Sequence, residues 1–591
     1  MSRNGSGAYT PPASSFPAVA GTLIESTKYN NVINDLGAAI TASIANDGQT
    51  PILANLPMGG FKFTGIGAGS NASDSAQFGQ FNASSGASLV GFLQSGASAT
   101  ARTAQDKLRE AISVKDFGAI GDGVADDTSA IQLAWDAANL AGGGAIHVPA
   151  GTYLLSSALV ITGCDNVLFY GDGVDATILI SNSTTANVFQ DTGTAWWRTF
   201  RDFSITSSVT RTAGAYFSLT AEKRGLFDRL KLTGHFNGFN FIGFEQTEVR
   251  SCSVTTPTGA GTGIICGTAG AAGQGANLLI NSCFIRGNNE VTAAAPIGLY
   301  GIAIYDVDAI FAMNTDIGSV LTHDLHIAPS NRSANHFFTQ CFFDSTKNGN
   351  CVNMEGAGTK QQLAFTGSWM ASAGKLTGGN AEACGVRALN VGAYQDIQFT
   401  GCKFYNCSGS GVLLEMPSAD FTFTGCDVYA NGAVATTNRY GIFIIPAAAQ
   451  TVGATITGCK FSNSPNDLRL DANSGKNVVA GNNFTVGTSN IGAGNVFSGN
   501  YDNSIADVAS ATRLTINSNQ SYVNVTGTTN IAGMDATFRG HIVALRFNGV
   551  LTVIDNSQNL RLAGNFTTAV DSVLTLFCDG AEWREIARTN T

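Results

Sequence analysis

Charge is scarce in this chain: Lys, Arg, Asp and Glu make up 13% of 591 residues, against about 25% in a typical globular protein. No cluster of four or more Lys/Arg occurs and the formal net charge is −10, so the basic footprint of a nucleic-acid-binding protein is missing. No apolar run reaches the ~18 residues of a spanning helix, which excludes membrane insertion by that route. The N-terminal stretch MSRNGSGAYTPPASSFPAV has no continuous apolar core of the secretion-signal type. Twelve cysteines without a single Cys-x-x-Cys pair fit neither a zinc ribbon nor a disulfide scaffold. What is abundant is glycine, 70 residues, with Asn, Ser and Thr. Little charge and much glycine disfavour helix bundles and suit many short strands joined by turns. An apolar fraction of 44% supplies an ordinary core, and the length fits two to four domains. The chain reads as soluble, β-rich and non-secreted.

Four regions separate by composition. Residues 1–110 are poor in aromatics and rich in Ala, Gly and Ser, with one amphipathic run at 29–44, where Val32, Ile33, Leu36, Ala39, Ile40 and Ile44 recur at helical spacing. Such a stretch buries little surface alone and reads as an arm that orders against partners. Residues 111–165 begin a new pattern. Asp126 and Asp127 precede an apolar helical face (Ala130, Ile131, Leu133, Ala134, Trp135, Ala137 and Ala138) as helix N-caps, and Gly142–Gly144 ends that helix before two strands.

From about 200 to 500 the chain repeats. One half-repeat reads Phe-Thr-Gly-Cys-x-Phe and places cysteines at Cys252, Cys283, Cys341, Cys402, Cys426 and Cys459, with Gly481-Asn482 as a decayed copy. The other half, Gly-Val-x-x, begins at Gly238, Gly263, Gly301, Asp324, Cys351, Gly385, Gly411, Gly441 and Asp467. No single repeat buries its own apolar face, so repeats must stack. A right-handed parallel β-helix of about ten coils over 166–503 meets that need, with the cysteines as one ladder of small buried groups. The irregular spacings become loops at 267–276, 287–297, 356–362, 372–384 and 430–440. The final region, 504–591, drops the repeat and reads as an antiparallel β domain with strands at 513–516, 522–525, 541–547, 551–554, 559–562, 573–578 and 583–586. Asn548-Gly549 and Asp579-Gly580 are its hairpin signals.

Residues 114–161, VKDFGAIGDGVADDTSAIQLAWDAANLAGGGAIHVPAGTYLLSSALVI, closely resemble the opening segment of the pectate-lyase-like β-helix superfamily, in which this segment caps the N-terminal end of the coil stack. Residues 29–40 and the run Asn55-Leu56-Pro57-Met58-Gly59-Gly60-Phe61-Lys62-Phe63-Thr64-Gly65 resemble the virion-proximal segment of phage tail fibres and tailspikes. The run Gly540–Phe547, with 559–564 and 574–583, is similar to a β domain that ends such proteins. The resemblance implies a homotrimeric phage tailspike or tail fibre, made in the bacterial cytoplasm and carried on the virion tail. The 1–110 arm would join it to other particle proteins, and the β-helix would recognise, and perform depolymerisation of, a capsular or lipopolysaccharide glycan. A non-catalytic adhesin and a purely structural fibre are the alternatives. No cofactor, metal, nucleic acid or membrane insertion is implied.

Tailspike-like glycosidases use paired carboxylates, whereas a lyase needs a base and a group that neutralises a uronate; carboxylates in adjacent coils favour the hydrolase. Aligning the Gly-Val-x-x strands puts Asp306, Glu355, Glu415 and Asp471 near one column, with Asp308 beyond Asp306 and Glu382 in the loop before Gly385. Asp306, Asp308 and Glu355 are the first catalytic candidates, then Glu382 and Glu415. Trp369, Trp196 and Trp197 are candidate sugar-stacking faces, although packing in the first coil or a trimer contact also explains the Trp196-Trp197 pair. His323, Asp324 and His326 form the densest His/Asp cluster, but His323 and His326 should face opposite sides of a strand, so no metal site is expected there.

Overall fold

The structure is a computed structural model. It describes residues 26–41 and 86–590, with short breaks at 256, 258, 272–274, 288–297, 377, 417–418, 438, 450–451, 491, 493, 503–506, 517–519 and 538. Two compact units divide the chain, Met1–Lys107 and Leu108–Thr591. In the first, the expected helix spans Ser26–Thr41, and a short antiparallel pair joins Gly91–Phe92 to Arg102–Thr103, where the Arg102 guanidinium lies 5.7 Å from the Phe92 ring. The tail-fibre-like run 55–65 and nearly all of the 287–297 loop lie outside the described residues.

The second unit is a parallel β-helix. Each coil has three strands, and one coil illustrates the rule: a long strand Thr359–Thr366, a tight turn at Gly367-Ser368, a short strand Trp369–Ala371, a loop, and a third strand Val386–Ala388. Third strands stack into a parallel sheet of thirteen strands among the described residues, more coils than the ten expected because the stack begins at Leu159–Val160, within the capping segment. The Gly-Val-x-x starts all fall in one register, from Phe239 paired with Ile264 to Ile442 paired with Leu468. Alternation sends every second side chain into the core. There Phe338, Phe365, Phe399 and Phe423 stack at centroid spacings of 4.8, 4.7 and 5.1 Å, the spacing of the backbone ladder itself.

The Phe-Thr-Gly-Cys turn needs a left-handed residue to leave the long strand and enter the short one. Gly401, Gly425 and Gly458 supply it at φ 61–63°, and Gln340, Asn314 and Ser282 do so at φ 49–54°. The side chain that follows is buried and hydrogen-bonded along the stack. The Cys402 Sγ donates to the Phe365 carbonyl (3.2 Å), Cys426 to Phe399 (3.3 Å) and Cys459 to Phe423 (3.6 Å), all carbonyls one coil earlier. Ser368 does the same to Phe338 and Asn482 to Ile456. The cysteine ladder is therefore a donor ladder and not merely a small-residue one, which is why Ser, Thr and Asn share it. All twelve cysteines are buried and free.

The N-terminal end of the stack is closed by the helix Thr128–Leu140, whose Trp135 ring lies 5.9 Å from Phe200 and parallel to it. Capping is done by Asp126, whose carboxylate accepts from the Thr128 N–H (3.0 Å) and Ser156 Oγ (2.6 Å). Asp127, expected to share that task, instead holds the preceding loop through the Ile120 and Gly121 N–H groups. At the other end, Leu514, Phe547, Trp583 and their neighbours form a separate core. The antiparallel domain expected there is a mixed six-stranded sheet. Ile542–Phe547, Val573–Cys578 and Trp583–Thr589 pair antiparallel, whereas Val508–Ala509, Tyr522–Thr526 and Ile542–Phe547 pair parallel. Asp579-Gly580 makes the tight hairpin with Gly580 at φ +99°. Asn548-Gly549 does not, because Ile542–Phe547 takes Val573–Cys578 as its partner and Thr552–Val553 pairs with Phe566–Thr567.

Cys402→Ser keeps the donor to Phe365 and is expected to change unfolding stability by less than about 1 kcal/mol. Cys402→Leu loses the donor and overfills the turn, and is expected to cost about 2 kcal/mol or more; chemical denaturation of both variants measures the difference.

Candidate functional site

The outward side chains of the thirteen-stranded sheet form columns that run along the coil axis. One column carries Ala303, His326, Asn353, Arg387, Leu413, Phe443 and Arg469, placed side by side by the register. Two residues further on, where each strand ends, backbone N–H groups still bond to the preceding coil and define a second column: Tyr305, Ala328, Glu355, Leu389, Glu415, Ile445 and Asp471. From Glu355 onward carboxylates thus occupy every second coil, with apolar residues between. Three of the four acids aligned from the sequence share this column.

Asp306 does not. Tyr305 holds its place, and that one-residue offset turns Asp306 to the opposite side. It is fully buried, with its carboxylate accepting the N–H groups of Gly270 (2.7 Å), Ser330 (3.3 Å), Asn331 (2.6 Å) and Arg332 (3.1 Å). A carboxylate with four backbone donors and no solvent contact organises two loops and is not placed to meet a substrate, which corrects its assignment as a catalytic candidate. Asp308 is partly exposed and paired with the Arg332 guanidinium. Glu382 ties two loops together, accepting from the N–H and hydroxyl groups of Thr436 and Thr437 at 2.7–3.2 Å.

Glu355 and Glu415 remain, two coils apart, ~9.6 Å at the strand spacing, and both partly solvent-exposed. The Arg387 fork holds Glu415 with two contacts of 3.1 Å. Glu355 faces the His326 ring, its Oε1 3.5 Å from Nε2. His326 lies flat against Tyr300, centroids 4.2 Å apart and 3° from parallel, and His323 stacks on the same group at 5.5 Å. The two histidines therefore face one side, against the expected alternation; the ladder pairs His323 with Tyr300 and Leu325 with Ile302 but skips Asp324 between them, a position occupied by glycine in six of the nine aligned coils. Burial pushes His323 down to about 3, its Nδ1 accepting the Asn350 N–H at 3.0 Å. Burial also lowers His326, only partly offset by Glu355. The rings flanking Glu355 are thus neutral at physiological pH. The Tyr300 hydroxyl is pushed up to about 12 by burial.

Beneath the column, Lys360 donates to the carbonyls of Gly356 (2.6 Å), Gly358 (3.1 Å) and Val391 (2.9 Å), and its ammonium lies 4.5 Å from the Tyr394 ring centroid. Burial lowers its pKa to about 8. It stiffens the turn that carries Glu355. Buried His326 Nδ1 and Asn353 Nδ2 have no hydrogen-bond partner, two unmet polar atoms beside the carboxylates. Asn353, Arg387 and Lys360 were not singled out from the sequence, and His326 was noted there only as part of a His/Asp cluster weighed for a metal. The signal was present for His326, Asn353 and Arg387, since each stands two residues after an aligned repeat start. Among the described residues no group of three His, Cys, Asp or Glu side chains converges as a metal site.

The tryptophans lie elsewhere. Trp369 opens a short strand, on a different face from Glu355, with Lys403 4.5 Å from its ring centroid. Trp196 is half-buried under Lys223, and Trp197, at φ +60°, is exposed beside Arg224, Gln246 and Glu248. Arg198 turns inward instead, as a buried partner of Asp191 and Glu222.

Comparison with known proteins bears on the first part of this unit. Residues 111–213 match the family described as rhamnogalacturonase A/epimerase, pectate lyase-like. Mannuronan C5-epimerase AlgE1 of Azotobacter vinelandii is 36% identical over 146 residues, 24% of this chain and 10% of that one. The tail spike protein of Shigella phage Sf6 is 44% identical over 87 residues, 14% of each chain. The chain thus spans about a tenth of the length of the curated relatives it matches. Among solved structures, the tailspike protein of E. coli bacteriophage HK620, in complex with a pentasaccharide, aligns over 82% of this chain and 90% of its own with a TM-score of 0.50 at 14% identity. The fold is a pectate-lyase-like parallel β-helix. The family match ends before Tyr300, so it covers none of the carboxylate column.

Asp324 supplies the test of this region's electrostatics. It is fully buried, neither carboxyl oxygen has a hydrogen-bond partner, and burial, with Asp344 adding, raises its pKa well above 3.8. A folded pKa above the unfolded one means that the native state holds the proton longer, so stability falls as pH rises above ~4. Asp324→Asn removes that term. Its thermal midpoint is expected to exceed the parent's at pH 7, by the equivalent of about 1–3 kcal/mol, and to converge with it near pH 4.

Proposed function

We propose that this protein is the receptor-binding component of a phage tail, a tailspike that recognises a bacterial surface polysaccharide and hydrolyses it. The single observation that carries this reading is the outward carboxylate column, with Glu355 and Glu415 two coils apart on a rigid sheet. The tailspike matches at both sequence and fold level support the same class of molecule. The reading includes a homotrimer, carriage on the virion tail after synthesis in the bacterial cytoplasm, and attachment of the 1–110 arm to particle proteins.

Two coils set the backbones that carry Glu355 and Glu415 ~9.6 Å apart, and side chains that lean toward one another from that spacing leave room for a water molecule between two carboxyl groups, the arrangement of inverting glycosidases. In this mechanism Glu355, among neutral rings, protonates the leaving glycosidic oxygen. Glu415, aimed by Arg387, takes a proton from the water that attacks the anomeric carbon. The carbon–oxygen bond breaks as the new one forms, and the product emerges with inverted configuration. A second reading, a non-catalytic adhesin, draws support from the Arg387–Glu415 ion pair, which serves equally to present hydrogen-bonding groups to a glycan that is held and not cut.

Purified protein is to be incubated with O-polysaccharides from Shigella and E. coli lipopolysaccharide, following reducing ends together with the ultraviolet absorbance of unsaturated uronates. Reducing ends without absorbance are expected, with Glu355→Gln and Glu415→Gln each lowering turnover about 10²–10⁴-fold and leaving binding intact. Full turnover in both variants, or absorbance rising with the reducing ends, sinks the carboxylate mechanism. Binding without any cleavage selects the adhesin.

A further inference from the structure

The short strands carry a second outward surface that the carboxylate column does not use. Their register places Phe342, Trp369, Lys403, Asp427 and Lys460 in one column across five coils. Two residues on, Tyr405 and Tyr429 stack in the neighbouring column, centroids 5.4 Å apart and 13° from parallel. Phe342 is 45% exposed and Tyr405 40%. Large aromatic side chains on the outside of a solenoid whose interior is filled with phenylalanine are not there for the core, and contiguous exposed apolar surface marks a contact site.

The charges on this strip behave differently from those elsewhere on the coil. Arg286 is forked onto Asp316 in the earlier coils, and Arg387 onto Glu415 on the other face. Lys403, Asp427 and Lys460, although neighbours in register, make no ion pair among the described residues. One Asp427 carboxyl oxygen is buried without a hydrogen-bond partner, and the Lys403 ammonium rests 4.5 Å from the Trp369 ring centroid. The strip therefore sets partly exposed aromatic rings next to a Lys-Asp-Lys run whose members make no ion pair among the described residues, one position per coil, ~4.8 Å apart along the coil axis.

We infer that this strip is a second glycan-binding site, separate from the carboxylate column, which takes an extended polysaccharide along the coil axis. A sugar ring presents a face of C–H bonds and a rim of hydroxyls. The C–H face packs on Trp369, Phe342 and Tyr405, and the hydroxyls satisfy Lys403, Asp427 and Lys460. The alternation of cation and anion suits a neutral or mixed-charge chain and disfavours a uniformly anionic polymer. A per-coil spacing close to one pyranose unit favours a polymer over a compact ligand. The inference rests on the preceding reading only for the class of polymer. Its function would be to hold an uncut chain while the carboxylates act on another segment.

The full chain is to be tested against immobilised O-polysaccharides from Shigella and E. coli lipopolysaccharide, alginate and an α-1,3-glucan, in the parent, Trp369→Ala, Phe342→Ala, Tyr405→Ala and the Glu355→Gln/Glu415→Gln pair. Thermal unfolding of each variant verifies folding, and the exposed Phe342 and Tyr405 carry the test if Trp369→Ala unfolds. Binding about tenfold weaker in the aromatic variants, with cleavage of short oligosaccharides unchanged, is the expected result. Unaltered binding in Phe342→Ala and Tyr405→Ala overturns the strip and leaves the carboxylate reading standing. Loss of cleavage confined to the Glu355→Gln/Glu415→Gln pair while the aromatic variants lose only binding upholds both. A parent that binds none of the probes overturns both.

Discussion

The structure depends on parallel pairing between coils that are nearly equivalent in register. Once strand n bonds to strand n + 1 at a fixed offset, every position in one coil lies ~4.8 Å from its counterpart in the next. No side chain then has an independent environment. A phenylalanine turned inward meets phenylalanines above and below it, as Phe365 does, and a donor at the turn meets a carbonyl one coil away, as Cys402 does. Core packing, turn chemistry and surface pattern follow from this one constraint, and the column is the unit in which each of them is written.

Function enters through the same geometry. Functional groups in most folds converge from distant segments, whereas the groups proposed here line up. Glu355, Glu415 and Asp471 share a column because their coils share a register, and the alternation with Leu389 and Ile445 sets their spacing at two coils. Arg387, His326 and Lys360 add what the spacing alone lacks: one fork that aims a carboxylate, neutral rings beside the other, and a buried cation that stiffens the turn between them. The short-strand face applies the same arithmetic to aromatic rings.

Much of this is legible in the sequence. The nine repeat starts from Gly238 to Asp467 fall in one register, and the six cysteines of the repeat fall in one ladder, because repetition is a direct imprint of stacking. What escaped was whatever a single residue decides. Asp306 aligns in sequence with Glu355, yet Tyr305 holds that position, and in a period-two element a slip of one reverses the side. The alternation rule separates His323 from His326, and it fails where the ladder skips Asp324. The C-terminal strands were placed well, but their partners were not, since an Asn-Gly turn signal says nothing about a pairing across twenty-five residues. Roles were harder still: Glu382 and Asp127 differ from the carboxylates of the column only in what surrounds them.

The cap formed by the helix Thr128–Leu140 has a consequence of another kind. A coil stack is a sheet with two raw ends, and each end displays unpaired backbone groups above a bare aromatic core, the conditions under which edge strands recruit other chains. The Trp135 indole seated on Phe200, together with the helix that carries it, blocks that end. The stack therefore has a defined first rung, and coils cannot be added to it from another molecule. What looks like a lid for the core is also a barrier to endless polymerisation, and it lets a repetitive sequence exist as a particle of finite length.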